Sequence, residues 1–82
     1  MSDDELREKI CSAVAKRLKE ERVRQGLSLN LLAARAGLSR QTVTFIEQEE
    51  RKPTLDTLLR LTGALGVSLE TWLAEARRDT GC

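Results

Sequence analysis

The apolar positions of this chain recur at helical spacing, and nowhere do apolar and polar residues alternate over the length of a strand. Leu6, Ile10, Val14 and Leu18 follow one another at four-residue intervals with Ala13 beside them, which lays one apolar stripe along a helix from about Asp4 to Gln25. Gly26 stands where a left-handed cap ends such a helix. One device then recurs: an apolar residue, a Ser or Thr able to accept a backbone N–H bond, and an apolar residue four positions after the cap. Leu27, Ser28 and Leu32 form one such set, Leu38, Ser39 and Val43 a second, and Val67, Ser68 and Trp72 a third. Each reads as a hydrophobic staple around an N-cap and marks a helix start. Pro53 and Thr54 before Leu55 mark another. The pattern predicts an all-α fold of five helices: Asp4 to Gln25, Leu29 to Ala36, Arg40 to Glu49, Leu55 to Leu65 and Leu69 to Arg77. None of these caps has Glu or Gln three residues on, so staples are expected without capping boxes.

The connection Ala36-Gly37-Leu38-Ser39 is too short for the second and third helices to lie antiparallel, so they must cross steeply, as in a helix-turn-helix. That geometry demands a small residue at the close approach, a turn residue able to take positive φ, and apolar anchors on both helices. Ala33 supplies the first, Gly37 the second, and Leu32, Ala36, Leu38, Val43 and Ile46 the third.

Composition narrows the function classes. The 82 residues make one domain, with 1–13 extending the first helix and 78–82 expected as a disordered tail. A chain of this size buries only about 60% of its unfolded surface, too little to shape a deep cleft. It has no His, no Tyr and no glycine-rich phosphate loop. Glu47, Glu49 and Glu50 therefore read as a charge cluster at a helix end rather than as acid and base, and no enzyme, cofactor or small-molecule ligand is expected. Cys11 and Cys82 form no CxxC pair and have no histidine to complete a metal site, so they read as plain thiols in a reducing cytoplasm. The acidic start Met-Ser-Asp-Asp-Glu is unlike a signal peptide, and no apolar run approaches the ~20 residues that span a bilayer, which also points to a cytoplasmic protein away from membranes. Formal charge is +1, from 14 basic and 13 acidic residues, so any basic surface must be local.

Gly26-Leu27-Ser28, Leu32-Ala33, Ala36-Gly37-Leu38-Ser39, Val43, Ile46-Glu47, Pro53-Thr54-Leu55, Leu58-Leu59, Ala64-Leu65-Gly66-Val67-Ser68 and Trp72-Leu73 resemble the Cro and C1-type helix-turn-helix domain of phage repressors and small bacterial regulators. The resemblance runs from about Val14 to Leu73. It implies the five-helix lambda-repressor-like fold, with the motif in helices two and three. It also implies a sequence-specific DNA-binding transcriptional regulator, a repressor or autoregulator that binds a near-palindromic operator as a homodimer with half-sites about 34 Å apart.

In such domains the start of the second motif helix enters the major groove, which assigns Arg40, Gln41, Thr44 and Phe45 to the base edges. Arg can bond guanine bidentately, Gln can bond adenine, Thr can bond or touch a thymine methyl, and Phe makes apolar contact alone. Phosphate contacts fall to Ser28, Asn30, Ser39, Arg51 and Lys52, with Arg17, Lys19 and Arg24 on the first helix as lesser candidates. The resemblance pairs Arg22 with Glu47 in a structural salt bridge. Leu69, Trp72, Leu73 and Ala76 form a stripe shared between the core and a dimer interface.

Three departures from the pattern stand out. Leu29 replaces the Gln that commonly opens the first motif helix, Leu31 adds a second apolar side chain there, and Glu49 and Glu50 occupy positions where the family usually has Gly and a base. Two acids beside the backbone predict weak non-specific affinity. The rival reading is a protein-binding module of the same fold, such as an antitoxin or a restriction-modification controller partner, with Leu29, Leu31 and Phe45 exposed on the face that otherwise meets DNA.

Overall fold

The computed structural model describes residues 2–81, which form five α-helices and no strand among the described residues. They are α1 (Asp3–Arg24), α2 (Leu29–Ala36), α3 (Arg40–Glu47), α4 (Leu55–Leu65) and α5 (Leu69–Gly81). The 22 residues of α1 span roughly 33 Å at 1.5 Å per residue, and this one helix accounts for most of the 37 Å long axis.

Every cap read from the sequence makes its bond. Ser28 Oγ accepts from the Leu31 N–H at 3.0 Å, Ser39 Oγ from Thr42 at 3.0 Å, Thr54 Oγ1 from Thr57 at 3.1 Å and Ser68 Oγ from Thr71 at 3.2 Å. At Gly26 the Leu27 N–H returns to the Arg22 carbonyl at 3.0 Å and closes α1. A fifth N-cap, Ser2, is not among those that the staple pattern marks. Ser2 Oγ accepts from the Glu5 N–H and donates to Glu5 Oε1, each at 3.2 Å. The Ser-x-x-Glu pattern at residues 2–5 is the sequence signature of such a start.

Two helix ends differ from expectation. Helix α3 stops at Glu47, two residues before Glu49, because Glu49 takes a left-handed φ of 62°. The Glu50 N–H then turns back to the Phe45 carbonyl at 2.9 Å. Helix α5 runs four residues beyond Arg77, so positions 78–81, expected as a tail, are helical. Buried Ala76 anchors that last turn, and the Thr80 hydroxyl donates to the Ala76 carbonyl at 2.7 Å. Cys82 lies outside the described residues.

The core gathers one face from each helix: Val14 and Leu18 of α1, Leu32, Ala33 and Ala36 of α2, Val43 and Ile46 of α3, Leu61 and Leu65 of α4, and Trp72 of α5. Full burial of a side chain such as Leu18, Leu32, Ile46 or Leu61 stabilises the fold by about 1.5–3 kcal/mol. The stripe on α5 needs correction as a dimer surface. Leu69, Trp72 and Ala76 are only 3%, 4% and 3% exposed, held inside the chain's own core, and Leu73 alone remains accessible. Arg17 reinforces that seam by stacking over the Trp72 ring at 5.0 Å and bonding Glu75 Oε1 at 2.5 Å, which ties α1 to α5.

Candidate nucleic-acid interface

The turn between α2 and α3 is set by Gly37, whose φ of 70° places it in the left-handed region. Leu38, half-buried, donates its N–H to the Ala33 carbonyl at 2.9 Å. Ser39 then caps α3. Val43 and Ile46 face inward, each 1% exposed, and they lock the rotation of α3 about its axis. Its other face is thereby presented outward. Arg40 and Gln41 are exposed, Thr44 and Phe45 are half-buried, and the four side chains line one shallow concavity.

Two of these four arrive with their chemistry partly engaged. The Thr44 hydroxyl donates to the Arg40 carbonyl at 3.0 Å, so Thr44 offers its methyl group and oxygen lone pairs rather than a donor. The Phe45 ring lies beneath the Arg51 guanidinium at 5.0 Å. It is not the freely exposed aromatic that the sequence suggested.

The phosphate candidates divide in the same way. Ser28, Asn30 and Ser39 sit exposed at the N-termini of α2 and α3, where unpaired N–H groups favour anions. Arg51 makes no ion pair among the described residues. Lys52 does: its Nζ lies 2.8 Å from Glu8 Oε1 and donates to Oε2 at 3.1 Å. That hydrogen bond, and the opposite charge behind it, hold the Glu8 carboxyl below its ordinary range and raise the Lys52 ammonium above its own. Arg17 is taken by Trp72 and Glu75, and Arg24 pairs with Glu21, whereas Lys19 stays exposed. Nothing local in the sequence marks Glu8, because it meets Lys52 only once α1 packs beside the segment after α3.

Arg22 and Glu47 meet as the resemblance implied. Arg22 Nε and Nη2 donate to Glu47 Oε2 and Oε1 at 2.7 and 3.0 Å, and Nη1 donates to the Leu27 carbonyl at 2.8 Å. This pair joins α1, the approach to α2 and the end of α3.

The apolar departures also resolve. Leu29 packs against the core, and of the three residues expected on an exposed apolar face only Leu31 is largely open, at 41%. Among the described residues no group of three or more His, Cys, Asp or Glu side chains is placed to hold a metal ion. None of the described helices is long and apolar enough to cross a membrane.

The family model for Helix-turn-helix matches residues 18–72, the span of the core helices and the turn. The chain belongs to the helix-turn-helix family. The Cro and C1-type resemblance is thereby shown, over nearly the span read from the sequence. The chain is 36% identical over 78 residues to the HTH-type transcriptional regulator PuuR of Escherichia coli (strain K12), and equally to that of Shigella flexneri. The match covers 95% of this chain and 39% of each relative, so the chain spans well under half the length of the curated relatives it matches. No solved structure matches at a significant level.

Proposed function

We propose that this helix-turn-helix domain is a sequence-specific DNA-binding transcriptional regulator, a repressor or autoregulator acting in the cytoplasm as a homodimer on a near-palindromic operator. The observation that carries the reading is the rotation of α3, in which buried Val43 and Ile46 turn Arg40, Gln41, Thr44 and Phe45 outward onto one contiguous surface. Arg40 and Gln41 have their polar ends free for base edges, Thr44 presents a methyl group, and the exposed helix N-termini at Ser28 and Ser39 flank them for phosphate. The relatives named as transcriptional regulators support the same reading. A single α3 covers few base pairs, so two copies are required for useful specificity. Exposed Leu55, Leu59 and Leu73 offer apolar surface for that association, in place of the buried α5 stripe. The protein-binding alternative loses two of its three exposed apolar residues, since Leu29 is on the core and Phe45 is under Arg51.

In-vitro selection from a random duplex library, followed by anisotropy titration at two salt concentrations, tests the proposal. A recovered near-palindrome bound as a dimer is the expected result. Arg40→Ala then weakens that site by about 1–3 kcal/mol and relaxes one base position. A protein that enriches no sequence, or an Arg40→Ala variant that binds as tightly as the parent, refutes it.

A further inference from the structure

We infer that Phe45 and Arg51 act as one phosphate-positioning unit, in which the Phe45 ring is a platform that aims the Arg51 guanidinium at the DNA backbone rather than a reader of a base. The inference rests on the reading of α3 as the groove-entering helix and assigns different work to one of its four outward residues.

Several independent features of the site converge on it. The guanidinium carbon lies 5.0 Å from the ring centroid, within cation–π range. The same two residues are joined through the main chain, where the Glu50 and Arg51 N–H groups both donate to the Phe45 carbonyl, at 2.9 and 3.3 Å. Ring and guanidinium thus close a small loop of structure at the exit of α3. A planar guanidinium stacked by one face keeps its edge N–H donors available, and those edge donors bond phosphate oxygens.

Charge and exposure point the same way. Phe45 is half-buried and covered by Arg51, which reduces the ring surface left for a thymine methyl. Arg51 carries no carboxylate partner among the described residues, while its neighbour Lys52 is tied to Glu8. Glu49 and Glu50 place two negative charges just before it, which repel the DNA backbone, and the Arg51 cation offsets part of that repulsion. Stacking pre-orders a long side chain that would otherwise lose rotamer freedom on binding. Phe45 also lines the concavity with Arg40, Gln41 and Thr44, so the ring that carries the Arg51 guanidinium belongs to the outward face of α3.

A double-mutant cycle on the whole chain decides it, with Phe45→Leu, Phe45→Trp, Arg51→Ala and the Phe45→Leu/Arg51→Ala double variant. Each is titrated against the duplex recovered by selection and against mixed-sequence duplex, over a range of salt. Circular dichroism confirms the fold of each, and if Phe45→Leu loses stability the cycle is run instead with Phe45→Met, which keeps the side-chain volume and removes the ring. The expected result is that Phe45→Leu weakens both probes by a similar factor, about two- to fivefold, and flattens the salt slope. Phe45→Trp restores both, and the double variant binds no more weakly than Arg51→Ala. A Phe45→Leu loss confined to one base position of the selected duplex, or losses that simply multiply in the double variant, overturns the inference while leaving the DNA-binding reading intact. Failure of the parent chain to bind either probe overturns that reading itself.

Discussion

Arg22 and Glu47, on α1 and at the last residue of α3, are joined by two parallel hydrogen bonds of 2.7 and 3.0 Å, and their side chains are only 13% and 5% exposed. The pair fixes the far end of the outward-facing helix to the longest helix of the fold, while Val43 and Ile46 fix its middle. Removing one partner strands the other charge where water reaches it poorly. Glu47→Ala is therefore expected to destabilise the domain by about 3 kcal/mol and to lower Tm by roughly 12 °C or more in calorimetry. Replacing both residues with apolar ones of similar volume, Arg22→Met with Glu47→Leu, should recover most of that loss. Equal damage from the single and double changes would contradict this account.

Gly37 carries a second expectation, because its left-handed φ coincides with crowding. A Cβ at that position would meet Arg60 Nη1 at 3.1 Å, whereas at Gly66, with a φ of 72°, nothing lies within 4 Å. Both Gly→Ala changes should cost about 1–2 kcal/mol from backbone strain. Only Gly37→Ala should also weaken DNA binding, since only that turn aims α3. Affinity lost equally in both variants would show that stability alone governs binding.

Glu49 occupies the left-handed region at a φ of 62°, where a side chain is strained. Glu49→Gly relieves about 1–2 kcal/mol of that strain and gives back roughly 0.5–1 kcal/mol in unfolded-state entropy. The expected net is a Tm gain of a few degrees, accompanied by tighter non-specific DNA binding as one acid leaves the surface. A lower Tm in a thermal melt counts against the strain argument.

Lys52 is held by Glu8 in the free protein, and in the proposed DNA complex a backbone phosphate would have to displace that carboxylate. Glu8→Gln should release Lys52 and steepen the salt dependence of DNA binding by about one unit. An unchanged slope places Lys52 away from the backbone. In the free protein the lowered carboxyl of Glu8 and the raised ammonium of Lys52 mean that the pair contributes its stability in full between the ordinary Glu value of 4.5 and the ordinary Lys value of 10.5. That contribution fades as pH falls through the depressed value. The pair is exposed, so the effect is small and shrinks in high salt.

Much of this protein was legible one residue at a time. The caps at Ser28, Ser39, Thr54 and Ser68 and the turn at Gly37 depend on bonds between residues only a few positions apart, and such bonds are written in local spacing. The short turn and its apolar anchors likewise marked Val43 and Ile46 as inward residues of α3, whereas Arg40, Gln41, Thr44 and Phe45 as the outward set came from the resemblance. Arg22 and Glu47 came from the resemblance rather than from any local pattern.

What tertiary structure alone decided is which side chains already have partners. Lys52 meets Glu8 across 44 positions and Arg17 meets Glu75 across 58, distances at which spacing carries no information and only the packing of α1 brings the charges together. The same packing sank Leu69, Trp72 and Ala76 into the core, because a stripe at helical spacing looks alike whether it meets its own chain or another. Local hydrogen bonds make helices; the contest among distant surfaces for one another determines what each helix has left to offer.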